Sequence, residues 1–273
     1  MRTSLLTSLY TQYALKEAIK QITVAGFDAV EIWGGRPHAY CNDLHEHDIL
    51  QLRELIDALG LETAAFVPAQ YRYPYNLCSP TRQIRMDSVQ YLKQCIELAF
   101  RLGAPVVKIS PGHTIHEQDL DNGWDLLADS LIRICEFSVN YNVLLALEPC
   151  DKYESDLINT SLQAMDMIDQ LGCDNLGVSF NSGHAFIAGE DPTSAIENLG
   201  DRLFHVHVND NDSKEDQHLV PGHGQYNFRT LIQALRMNLY DGFISADLGW
   251  QYTIDPDPAA VDTQEFLENL INE

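Results

Sequence analysis

The chain has 273 residues, 45% hydrophobic and 9% aromatic, enough apolar content for a large core and too much for a disordered chain. Its 17 basic and 40 acidic side chains give a formal net charge of −23, which repels phosphate backbones and anionic membranes and argues against a nucleic-acid or membrane partner. No apolar run approaches the ~18 residues of a membrane span.

The N-terminal stretch MRTSLLTSLYTQYALKEAI has no long apolar segment and no cleavage site. Cys41, Cys78, Cys95, Cys135, Cys150 and Cys173 form no CxxC pair. The expectation is a soluble, cytoplasmic protein whose cysteines are reduced and mostly buried.

From the N-terminus onward, short apolar runs alternate with longer amphipathic segments. Strands are predicted at 3–8, 28–33, 62–67, 105–110, 143–148, 175–180, 203–208 and 242–247. Helices are predicted at 14–25, 45–59, 82–102, 122–140, 160–171, 192–199, 228–238 and 259–271. The first strand is the weakest, being only half apolar. Leu126, Leu127, Ser130, Leu131, Ile134 and Cys135 recur at helical spacing and mark a core-facing stripe. Gly26, Gly60, Gly103 and Gly172 each stand where a left-handed helix stop belongs.

No linker or composition break divides the chain, so one domain over 1–273 is expected. Eight strands alternating with eight helices read as an α/β fold. No GxGxxG or P-loop follows the first strand, and polar residues gather after the strands. Both features favour a closed (β/α)8 TIM barrel with its working face at the strand C-termini.

Four side chains at strand ends carry the chemistry. Glu148, Asn181, His207 and Asp247 close four successive predicted strands, at separations of 33, 26 and 40 residues. In a closed parallel barrel they converge at one mouth, as the ligands of one divalent metal. A carboxylate at the end of an apolar strand needs a counter-charge; an Arg or Lys partner is the alternative to a metal, but basic residues are few. Period two puts His205 and His207 on one face, with His207 the ligand and His205 a deeper core histidine. Asn181-Ser182-Gly183 also reads as a plain turn. Asp247 faces Glu148 across the barrel, and two carboxylates flanking a carbonyl compound can exchange a proton through an enediolate.

Around this centre, His184 can orient a substrate hydroxyl or cap the turn. Trp33 lies in a mobile segment after the second strand. Tyr71, Tyr73 and Tyr75 offer an aromatic wall for a sugar ring, or ordinary packing. The acidic run Asn209–Asp216 reads as a solvated flap, and Val220–Gly224 as a rigid turn that can border the pocket.

Glu31-Ile32-Trp33-Gly34-Gly35-Arg36-Pro37-His38-Ala39-Tyr40 and Tyr73-Pro74-Tyr75-Asn76 closely resemble the fructoselysine 3-epimerases. Leu147-Glu148-Pro149, His205-Val206-His207 and Pro221-Gly222-His223-Gly224 are shared more widely with ketose 3-epimerases. From end to end the chain resembles the xylose-isomerase-like barrel sugar isomerases and epimerases. That resemblance implies a Mn2+ ion, or the similar Co2+, Mg2+ or Ni2+, held by Glu, Asp, His and Glu with the two Glu as acid and base. It implies Glu154 and His184 on substrate hydroxyls, and a homo-oligomer. This chain has Asn181 in place of the Asp and Asp247 in place of the second Glu. Asn removes a charge that a hard divalent ion favours, and Asp is one methylene shorter.

The leading reading is a metal-dependent sugar epimerase or isomerase. A relative that binds a sugar or a partner protein without turnover is the alternative that those two substitutions favour. An endonuclease of the same barrel type, using His113 and His116, is opposed by the −23 charge.

Overall fold

The structure is a computed structural model that describes residues 1–70 and 74–273. Its strands are β1 (Arg2–Leu6), β2 (Ala29–Gly34), β3 (Glu62–Pro68), β4 (Val106–Ile109), β5 (Leu144–Leu147), β6 (Leu176–Asn181), β7 (Leu203–Val208) and β8 (Phe243–Ala246). They pair in chain order and β8 closes on β1, all parallel, as the alternating sequence pattern requires. The helices are α1 (Leu15–Val24), α2 (Glu46–Ala58), α3 (Arg82–Leu102), α4 (Leu120–Ser138), α5 (Ser161–Leu171), α6 (Ser182–Ala188), α7 (Pro192–Leu199), α8 (Phe228–Met237) and α9 (Pro256–Asn272). Among the described residues no helix is long and apolar enough to cross a membrane. The fold is a (β/α)8 TIM barrel.

The two faces of the strands divide the labour. Outward residues such as Leu5, Ile32, Val107, Leu145, Val206 and Ile244 form one continuous apolar layer beneath the helices. The inward face is largely polar. Ser179 stands in register with His205, Asn181 with His207, and His207 with Ser245, all buried. A period-two strand whose two faces both lie inside the protein can afford polar groups on one of them only if each finds a partner. His207, Ser179 and Asn181 find theirs in Glu148, whereas the Ser4 and Ser245 hydroxyls have no hydrogen-bond partner among the described residues.

Two local departures from the sequence expectation have clear causes. The first strand ends at Leu6, and Thr7–Tyr10 turn into a 3-10 helix; their half-polar composition lacks the alternation that extends a strand. The short helix α6 was not anticipated, because seven residues are too few to display a helical period. Its start is nevertheless encoded. Asn181 Oδ1 accepts from the Gly183 and His184 amides at 3.0 and 3.3 Å, an N-cap. Glycine at 183 lets α6 approach β7: a Cβ there would lie 1.9 Å from Asn209 Oδ1.

The acidic run after β7 is a correction. Only Ser213, Lys214 and Glu215 are exposed, whereas Asn209, Asp210 and Asn211 are fully buried. Asp210 accepts from the Gly222, Gly224, Tyr226 and Asn211 amides at 2.8–2.9 Å. That carboxylate ties the two loops together, and residues 220–224, expected to border the pocket, do not line the cavity at the strand C-termini. We expect Asp210→Ala to lower stability by on the order of 3 kcal/mol in urea unfolding, since buried amides lose a charged acceptor. A loss under about 1 kcal/mol would mean that water replaces the carboxylate there.

Candidate active site

A cavity of about 750 Å³ opens at the C-terminal ends of the strands. Trp33 from β2, Lys108 from β4, Glu148 after β5 and Asp247 after β8 line it, together with Glu154, His184, Asp216 and His218 from the loops. At its rim Trp33 and Trp250 meet edge to face at 5.9 Å, an aromatic edge against which a sugar ring can pack. The other polar groups of the lining are dominated by acids, which suits a neutral or amine-bearing polyol and opposes a phosphorylated one.

The floor is a chain of buried charges. Lys108 Nζ lies 2.6 Å from Glu148 Oε2. His207 Nδ1 lies 2.6 Å from Glu148 Oε1, and its Nε2 lies 3.0 Å from Glu31 Oε1. His205 Nε2 lies 2.8 Å from the same Glu31 oxygen. Burial disfavours the charged forms of Glu148 and His207, but their neighbours outweigh it. Lys108 and His207 hold the Glu148 carboxyl well below the usual carboxylate range. Glu31 and Glu148 hold His207 well above the ordinary histidine range, so that it donates from both nitrogens.

Above the floor, a second polar group comes from the loops. His218 Nε2 lies 2.8 Å from Asp216 Oδ2, and its Nδ1 meets the Asp247 backbone oxygen at 2.9 Å and the Asp247 carboxylate at 3.5 Å. His184 Nδ1 accepts from the Asp151 amide at 3.2 Å and stands 3.6 Å from Asp216. Glu154, half-buried, has its carboxyl raised by desolvation.

The sequence-predicted residues are distributed as follows. Glu148 and His207 are in direct contact. Asn181 reaches Glu148 with its amide nitrogen, donating to Oε1 at 3.4 Å. Asp247, Glu154, His184 and Trp33 line the cavity. Tyr75 does not line it; its ring stacks on Tyr91 at 3.7 Å and its hydroxyl meets that of Tyr40 at 2.6 Å. Tyr71 and Tyr73 lie outside the described residues.

The resemblance implies a divalent metal at this end of the barrel. Among the described residues, three groups have ligand-type atoms close enough together to hold an ion: Glu31, His205 and His207; Glu148, Cys150 and His184; and His184, Asp216 and His218. His113 and His116 belong to none of them. The quartet read from the sequence does not fit an ion as arranged. The Asn181 carbonyl oxygen serves two α6 amides and the Asn209 amide at 3.1 Å. Both Glu148 oxygens are taken, one of them by an ammonium, and Asp247 turns to His218.

Sequence reasoning passed over Lys108, Glu31, Asp216 and His218. The first two were visible in principle: a charge in the middle of Val106-Val107-Lys108-Ile109 or Ala29-Val30-Glu31-Ile32 is costly unless it points inward to a partner. Asp216 and His218 carry no such signal, because only the folded loop brings them inward.

A closed parallel barrel with carboxylates, histidines and a lysine around one polar cavity at the strand C-termini is the architecture of a barrel enzyme acting on small polar molecules. The chain belongs to the xylose isomerase-like TIM barrel family, whose model matches residues 19–270. It is 28% identical over 273 residues to a fructoselysine 3-epimerase of Shigella flexneri, covering 100% of this chain and 99% of that one. It is 25% identical over 236 residues to a D-psicose 3-epimerase of Enterocloster bolteae, covering 83% of this chain and 74% of the relative. The crystal structure of a D-tagatose 3-epimerase-like protein superposes with a TM-score of 0.86 at 26% identity, over 100% of this chain and 97% of the other.

The histidine above the floor sets a pH signature. Burial disfavours the His218 cation, but Asp247 and Asp216 overcome it and raise the group to about 10. A raised pKa contributes stability that is whole below about 6.5 and disappears as pH climbs through about 10. Wild-type protein is expected to lose thermal stability across that window, and His218→Asn to lose markedly less. Parallel curves for the two proteins would show that His218 is not held as the cation.

Proposed function

We propose that the protein is a sugar epimerase or isomerase that moves a proton at the carbon next to the carbonyl of a ketose or ketosamine. The observation that carries this reading is that Glu148 and Asp247, from β5 and β8, line one cavity from different sides of the barrel. A ketose lying between them offers one face of that carbon to each carboxylate. One carboxylate takes the proton, the C–H electron pair moves into an enediolate, and a proton returned to the opposite face gives the epimer. Only when the proton comes instead from the terminal carbon does its return to the former carbonyl carbon give an aldose. Glu154 and His184 are proposed to hold substrate hydroxyls, and Trp33 to pack against the ring. The full-length likeness to sugar 3-epimerases supports this class, and the acidic lining supports an unphosphorylated substrate.

The test is to incubate a panel of ketoses and ketosamines with the protein in D2O, with and without Mn2+, and follow deuterium at the carbon next to the carbonyl by NMR. Incorporation, accompanied by the epimeric sugar, is expected for at least one substrate. Asp247→Asn should slow it by about 10²–10⁴-fold, the contribution of a positioned acid–base group. Absence of exchange across the panel in both conditions would sink the proposal.

A further inference from the structure

We infer that the Lys108 ammonium is the resident cation of this active site, occupying the role at Glu148 that the family resemblance assigns to a divalent metal, and that it holds the negative oxygen of the enediolate. The inference rests on the proposed proton transfer and names the group that stabilises its charge.

Position comes first. Lys108 stands in register with Ala146, so its side chain joins the inward face on which Glu148 lies two residues further on. The ammonium is within 2.6 Å of Glu148 and donates to Ser110 Oγ at 3.1 Å. An ammonium has three N–H donors. The third has no hydrogen-bond partner among the described residues, and the side chain keeps 13% of its surface on the cavity. A free donor on a buried cation, facing a polar cavity, is a site for an oxygen acceptor.

Charge balance comes second. Lys108 Nζ and His207 Nδ1 each lie 2.6 Å from a different oxygen of Glu148, so both oxygens of that carboxylate already have nitrogen partners. A divalent ion added at Glu148 would face an ammonium within contact distance of that ligand. The residue beside Glu148 is the uncharged Asn181, and it presents its NH2 rather than its oxygen. A monovalent cation needs one anionic partner fewer than a divalent one, and that is what the residues supply.

The step balances without a metal. A cavity carboxylate takes the proton from carbon, and the C–H electron pair forms the C=C bond of the enediolate. The carbonyl π pair goes to the oxygen next to Lys108, which donates a hydrogen bond and keeps its proton. Reprotonation at carbon reverses the flow. A fixed ammonium stabilises such an oxyanion because it is oriented before the charge appears.

The experiment compares wild type, Lys108→Arg, Lys108→Met and the double variant Lys108→Met with Asn181→Asp, each freed of metal by EDTA. Readouts are deuterium exchange, melting temperature with and without millimolar MnCl2, and bound manganese by elemental analysis. Wild type is expected to exchange at the same rate with EDTA or Mn2+, to hold no stoichiometric manganese and to melt at the same temperature in both. Lys108→Met should lose about 100-fold or more in exchange, as when an oxyanion donor is removed. Should Lys108→Met fold poorly, Lys108→Arg keeps the charge and reports on geometry alone through a split between kcat and KM. The double variant should bind manganese and melt higher only when it is present. Stoichiometric manganese on wild type that Glu148→Gln abolishes, or exchange that requires Mn2+, overturns the inference while leaving the epimerase reading intact. Failure of exchange in every condition removes that reading instead, and the manganese contrast between wild type and the double variant then decides the place of Lys108 alone.

Discussion

Glu148 is an ionised carboxylate with 1% of its surface exposed, and much of the site is arranged to make that tolerable. An uncompensated charge at such depth is unstable. Lys108 answers it from β4, His207 from β7, and Glu31 from β2 answers His207 in turn. The result is an alternating row of four charges that crosses the barrel and links strands far apart in the chain. Removing one member leaves another buried and unpaired, at a cost of about 3–5 kcal/mol. The row thus fixes side-chain direction as firmly as apolar packing does elsewhere.

The polar interior follows from the same constraint. The apolar layer between strands and helices stabilises the barrel, so the inward face is released from that duty and can hold Ser179, His205, His207 and Asn181. Above it, Asp210 fastens the β7 loop to the 220–224 turn through four backbone amides, which places Asp216 and His218 over the row. Floor and loops then enclose a cavity whose carboxylates differ in state. Glu148 is held ionised by its cations, while burial raises Glu154. Opposite protonation tendencies within one cavity are the raw material of acid–base chemistry.

The barrel was legible before any coordinates because its signals are local and repeated. Short apolar runs, helical stripes and stops such as Gly103 and Gly172, both at positive φ, recur along the chain. The site was legible in part. Glu148 and Asp247 announced themselves as carboxylates closing apolar strands. Asn181 was read as an oxygen ligand, yet its oxygen caps α6, a local demand that a seven-residue helix hid from view. Tyr75 was read toward the substrate and stacks on Tyr91 instead, since which neighbour an aromatic ring meets depends on α3 and not on the segment that carries it. Lys108 was passed over as a partner of Glu148 because lysines are few; scarcity says nothing about where one of them points.

By itself the amino-acid order determined the closed parallel architecture, the end of the barrel where polar side chains collect and the acidic, sugar-compatible character of that end, because periodicity and composition act within one element. Only the tertiary structure decided that Lys108 meets Glu148, that His207 bridges two carboxylates and that Asp216 turns inward. Those pairings join strands and loops whose relative placement is set by barrel closure and long-range packing, which no local pattern encodes.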